Sequence, residues 1–89
     1  MHFEWSRAKA ESNRRKHKVT FNEATSVFYD PLSATFADPD PTTGEPRLIT
    51  VGHSSQARLL VVVHTEQGET IRIISARLAT AHERKRHES

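Results

Sequence analysis

Arginine is costly to place inside a strand of Val, Leu and Ile, and this chain does so repeatedly. From residue 58 to residue 80 the sequence reads as two apolar strands, a tight turn between them and the start of a helix. Arg58, Arg72 and Arg77 interrupt that apolar pattern. A guanidinium in such a place must face water, a carboxylate or a ligand. Its planar fork fits two oxygens of one phosphate, so several arginines around a small sheet suggest a phosphate-holding surface. Arg47 stands just ahead of the preceding apolar run, and Glu45 lies two residues before it. Glu45 could act as a base or only orient Arg47. His64 and His87 are the proton carriers suited to neutral pH. Bland alternatives stand beside each role: Arg72 pairing with Glu45 or Glu69, Arg77 binding a carboxylate of its own fold, His64 serving structure alone.

The elements that must position these residues follow from caps and apolar spacing. Phe3-Glu-Trp5 is a short extended start. Ser6 can cap a helix from Arg7 to Lys16, which carries Lys9 and Arg14 as candidate contacts to a polyanion. Thr20-Phe-Asn-Glu23 has the form of a capping box, and Phe21, Ala24, Val27 and Phe28 then recur at helical spacing up to Asp30-Pro31. Strands are expected over Leu32–Ala37, Arg47–Val51, Leu59–Thr65 and Glu69–Ser75. The segment Asp38–Pro46 is a loop by composition. Thr80-Ala-His-Glu83 is a second capping box, opening a basic terminal helix that includes Arg84. The order predicts an α+β fold: two N-terminal helices, a four-stranded, mostly antiparallel sheet and a C-terminal helix.

The hairpin register is set by its turn. Glu66-Gln-Gly68 suits a three-residue connection with Gly68 left-handed. His64 then faces Thr70, Val62 faces Arg72 and Leu60 faces Ile74. One face carries Leu59, Val61, Val63, Ile71 and Ile73, and the other carries Arg58, His64 and Arg72. Slipping one strand by a residue would put Arg72 among the valines.

Eighty-nine residues predict one domain with a limited core. No cysteine is present, so neither disulfides nor thiolate zinc sites support it, and the histidines show no metal-ligand spacing. No apolar run approaches the length of a membrane span, and the N-terminus lacks a signal-peptide core, which makes the cytoplasm the default compartment. The net charge of +2 is uneven: residues 1–18 carry +4, 19–57 carry −4 and 58–89 carry +2. If the two basic ends meet, they form a face that attracts polyanions.

The opening Phe3-Glu-Trp5, Lys9, Asn13, Lys16-His17, Val19, Phe21, Glu23-Ala24, Val27-Phe28 and Asp30-Pro31 resembles the N-terminal signature of BrnT-type toxins. The closing Val62-Val-His-Thr-Glu66, Ile71-Arg-Ile-Ile-Ser-Ala-Arg77, Ala79-Thr80 and Glu83-Arg84 resembles the same family's C-terminal signature. The resemblance spans nearly the whole chain. It implies a RelE-like ribonuclease fold and the toxin half of a type II toxin–antitoxin pair. It also implies a BrnA-type antitoxin with a ribbon-helix-helix DNA-binding domain, through which the complex would reach operator DNA. Three positions depart from the family pattern. Lys18 replaces a glycine that would end the first helix, Leu78 replaces a lysine, and His87 replaces a tyrosine.

For an RNA substrate no external nucleophile, cofactor or metal is needed. The 2′-OH attacks the adjacent phosphate when a base takes its proton, an acid protonates the leaving 5′-oxygen, and cations hold the charge between them. Arg47, Arg58, Arg72 and Arg77 are the cations expected to do this. His64 is the expected proton carrier, with His87 and Glu45 behind it. Lys9, Arg14 and Arg84 are expected to position RNA. A competing reading is a catalytically degenerate module that binds nucleic acid or antitoxin for operator autoregulation.

Overall fold

A computed structural model describes residues 1–39 and 46–88. The order is β1 His2–Glu4, α1 Arg7–His17, α2 Phe21–Ser26, a single 3-10 turn Val27–Tyr29, β2 Ala34–Ala37, β3 Leu48–His53, β4 Leu59–Gln67, β5 Thr70–Leu78 and α3 Ala81–Glu88. Glu45 and most of the expected loop lie outside the described residues.

The helix starts follow the caps. Ser6 Oγ accepts from the Lys9 N–H at 3.4 Å, and Thr20 Oγ1 accepts from the Glu23 N–H at 3.1 Å. At α3 the box is reciprocal: the Glu83 N–H donates to Thr80 Oγ1 at 3.1 Å while the Thr80 N–H donates to Glu83 Oε1 at 2.9 Å. The α2 box is only half made, because the Glu23 carboxylate turns inward to other partners. The first helix keeps a left-handed terminator despite the missing glycine. Lys18 sits at φ 60°, ψ 31°, with its N–H on Arg14 O at 3.0 Å.

The sheet has five strands, not four, in the order β1-β5-β4-β3-β2. The extended start is itself the added strand, and β1 pairs in parallel with β5 from His2↔Thr70 to Glu4↔Arg72. A three-residue strand is too short to show alternation, so its pairing is not legible from sequence. The other pairings are antiparallel.

The β4–β5 register differs from the one expected. Gln67 pairs with Thr70, so the turn has two residues, with Gly68 left-handed at φ 60°. His64 faces Ile73, Thr65 faces Arg72 and Val62 faces Ala76. The pairing skips Ile74 between Val63 and His64, which makes a β-bulge. The bulge shifts β5 by one residue, so Ile71, Ile73 and Ala76 share one face with Leu60, Val62 and His64. The expected grouping of Leu59, Val61 and Val63 with Ile71 and Ile73 is therefore corrected.

The helical layer packs on that first face. Val19, Phe21, Ala24 and Val27 bury against Leu60, Val62, Ile71, Ile73 and Ala76, with Phe3, Trp5, Ala10 and Phe28 at the margin. Each large aliphatic so buried contributes about 1.5–3 kcal/mol. A smaller cluster of Val51, Leu59 and Val61, joined by Ile49 and Ala79, lies on the opposite face toward α3. No helix among the described residues is long and apolar enough to cross a membrane.

Candidate functional site

The two faces of the sheet divide the chemistry-bearing residues. His64 lies on the helix-covered face with no exposed surface. Its Nε2 is 2.7 Å from Thr50 Oγ1, which is in turn 2.8 Å from Thr35 Oγ1, and Phe28 stacks edge-on at 4.8 Å. Burial pushes the imidazole pKa down to about 4, so the ring is neutral near pH 7. A group that must touch a scissile phosphate has to be reachable, and His64 is not. The expectation that it shares an open face with Arg72 is corrected by the bulge.

Arg58 also belongs to the helical side. It makes a two-pronged ion pair with Glu23, its Nε donating to Oε2 at 2.9 Å and its second nitrogen to Oε1, and it reaches Lys18 O at 3.2 Å. Glu23 is 5% exposed and also accepts from Ser54 Oγ at 2.6 Å. The Arg58 bond, aided by Ser54, holds the carboxyl below its usual range against the opposing effect of burial. The pair joins α2 to the β3–β4 turn, so Arg58 is committed to structure and turned away from the arginines expected to act beside it. Lys9 lines a groove with Lys16, His17, Ile74 and Ser75 along the β5 edge. Arg14 pairs with Glu11 at 2.9 Å and borders a cleft beside Trp5 and Phe21. The basic N-terminal helix and basic α3 thus sit on different layers and do not merge into one face.

The α3 face gathers the rest. Register places Val61↔Arg77 and Thr65↔Arg72 on it, and Arg47 precedes β3 in line with Thr65. Arg77 clamps Glu83 through both guanidinium nitrogens, at 2.7 and 2.9 Å. That bond and the α3 cap hold the Glu83 carboxyl down to about 2. One turn further along α3, the His87 ring lies 6.1 Å from that of His53. Behind His53 stands Asp30: its Oδ2 accepts the His53 backbone N–H at 2.7 Å and lies 3.7 Å from the His53 Nδ1. Those backbone bonds, from His53 and Leu32, hold Asp30 below the usual carboxylate range. Arg84, on the same helix, is 3.9 Å from Glu88.

Arg72 stands at the other end of this face. It contacts Glu4 at 3.2 Å, both side chains about half exposed, so the pair is weak and can open. The structure therefore ties Arg77 to Glu83, one turn before His87 on α3, and sets Arg47 and Arg72 along one row of the sheet. The two groups sit at opposite ends of the face, with Val63 and Ser75 between them. Residue type alone does not mark His53 or the exposed Phe36. Alternation within Thr35-Phe-Ala37 was the available signal for Phe36. For His53, only the β3 register puts it beside the terminal helix.

A helix-covered face and an arginine- and histidine-bearing face on one five-stranded mixed sheet define a small α+β domain. The crystal structure of the Brucella abortus ribonuclease toxin, BrnT, shares this fold, with a TM-score of 0.68 at 24% identity, over 90% of this chain and 97% of that one. The chain belongs to the BrnT family, the ribonuclease toxins of type II toxin–antitoxin systems, whose family model matches residues 5–83. No curated protein sequence matches it.

Proposed function

We propose that this toxin cleaves RNA without a metal, by attack of the 2′-OH on the adjacent phosphate, and that a BrnA-type ribbon-helix-helix antitoxin neutralises it by covering the α3 face. The carrying observation is the His53–His87 pair, 6.1 Å apart, with Asp30 behind one ring and Arg77 one helical turn away. Two imidazoles so spaced can bracket a phosphate. One takes the 2′-OH proton and the other returns a proton to the leaving 5′-oxygen. Asp30 accepts the His53 backbone N–H and lies 3.7 Å from the ring Nδ1, so it holds that imidazole in place for proton transfer. Arg77 supplies fixed positive charge beside the phosphorane, oriented by Glu83. Arg72 and Arg47 hold phosphates further along the strand, and Arg84 adds attraction from α3. The histidine pair takes the proton-carrying part once expected of His64.

The pH dependence of single-turnover cleavage tests this. Removing either ring, His53→Ala or His87→Ala, is expected to slow cleavage about 10²–10⁴-fold and to abolish one limb of the pH–rate profile. Folded variants that cleave with an unchanged profile would overturn the assignment. Normal growth under strong induction of folded wild-type protein would favour the degenerate, autoregulatory module instead.

A further inference from the structure

The half of the α3 face that α3 leaves uncovered is apolar in one row and charged, with both signs, in the next. Phe36 pairs with Ile49, Ile49 with Val63 and Val63 with Ser75, so these side chains form a band across four strands. Phe36 is 50% exposed although it stands on a strand. Its neighbours in β2 are Thr35, which points to the other face and bonds Thr50, and the small Ala34 and Ala37. The ring therefore rests on Ile49 with a side open to solvent. The adjacent row carries Arg47, Thr65 and Arg72, with the acids Asp38 and Glu4 at its two ends, opposite Arg47 and Arg72. Arg47 is the diagonal cross-strand neighbour of Phe36, a relation that sets Cα atoms about 7–8 Å apart.

We propose that Phe36 and Arg47 form a subsite for one nucleotide of unpaired RNA, the base stacked on the ring and its phosphate on the guanidinium. This rests on the ribonuclease reading and names its substrate class. An aromatic ring beside a cation on an open sheet is the arrangement that binds single strands, because every base offers a π-face and every nucleotide a phosphate. A base inside a duplex is already stacked on both faces and cannot be taken by a shallow platform. The chemistry agrees, since attack by a 2′-OH needs the 5′-oxygen in line behind phosphorus, and a regular A-form helix holds it out of line. Phe36 lies about 13 Å along the sheet from His53, at ~3.4 Å per strand residue, so the stacked base is not the one at the scissile bond.

The test uses a short, unstructured RNA made uncleavable by 2′-O-methyl groups and carrying 2-aminopurine, together with its perfect duplex. Wild-type protein is expected to quench the single-stranded probe on binding. Phe36→Ala, shown folded by circular dichroism, should bind that probe about 10-fold more weakly and lose the quench, the size of one lost stacking contact. Phe36→Trp should retain both, and neither variant should alter the weak binding of the duplex. Equal binding and quenching by wild type and Phe36→Ala, alongside normal wild-type cleavage, would overturn the subsite alone. So would a Phe36→Ala protein that binds RNA normally but escapes the antitoxin, which would make Phe36 a protein contact. A wild-type protein that neither binds nor cleaves RNA would overturn the ribonuclease reading and the subsite with it.

Discussion

The Asn13 side chain takes both main-chain hydrogen-bonding groups of Ala76: its Nδ2 donates to Ala76 O at 2.8 Å and its Oδ1 accepts the Ala76 N–H at 3.0 Å. The same Nδ2 donates to Val19 O at 3.0 Å. Asn13 is 5% exposed. β1 pairs with β5 only as far as Arg72, so the backbone beyond has no strand neighbour on that side. The amide of Asn13 stands in for the missing strand just past the bulge at Ile74. It fixes which residues of β5 turn toward the helices and which, Arg77 among them, turn toward α3.

Asn13→Ala should therefore act at a distance. Three buried backbone groups lose their partner, each worth on the order of 1–3 kcal/mol, though local relaxation recovers part. A loss of about 2–4 kcal/mol in urea unfolding is expected, with perturbed backbone NMR shifts at Ala76 and Arg77. A loss under about 1 kcal/mol would mean that the bulge holds itself.

Lys18 occupies a left-handed conformation that favours glycine, at φ 60°. Its carbonyl, which accepts from Arg58, survives substitution. Relief of that strain outweighs the extra freedom given to the unfolded chain, so Lys18→Gly should raise stability by about 0.5–1 kcal/mol with an unchanged m value. A lower urea midpoint would contradict this.

Arg58 and Arg72 should separate under mutation. Arg58→Ala leaves the buried Glu23 carboxylate without its cation, so its first effect should be a lower Tm. Arg72→Ala breaks only an exposed pair, so Tm should move by less than the equivalent of ~1 kcal/mol while RNA affinity falls and its salt dependence flattens. A destabilised Arg72→Ala with intact RNA binding would assign Arg72 to the fold.

His64 predicts a pH signature. Its folded pKa is about 4, against an unfolded value of about 6.5. Between those limits the unfolded chain binds a proton that the native state refuses. Stability therefore falls as pH drops through that window, by on the order of 2–3 kcal/mol at its acid end. Glu83, held down to about 2, adds a loss that begins below its unfolded value of 4.5. Urea midpoints across pH should show the first step for wild type and a flatter curve for His64→Gln. An unchanged slope in the variant would mean that the native state accommodates the charged ring.

Much of the chain could be read from local chemistry. Ser6, Thr20 and Thr80 mark helix starts because capping is decided within four residues. The hairpin faces were not legible, because Leu59–Val63 is apolar at every position and buries side chains on both sides. Such a strand carries no alternation to report a bulge, and Ile73-Ile74 was the only sign of one. Residue types alone placed Arg58 and His64 among the catalytic candidates. Only tertiary structure shows that Glu23 claims the first and that Thr50 and Phe28 enclose the second.

The products of cleavage test the central claim most directly. Purified wild-type protein is incubated with RNA in excess EDTA, and the new termini are identified by mass spectrometry. Attack by the 2′-OH, driven by side chains alone, predicts cleavage at full rate with 2′,3′-cyclic phosphate and 5′-hydroxyl ends. An absolute requirement for Mg²⁺, or products bearing 5′-phosphate, would contradict it.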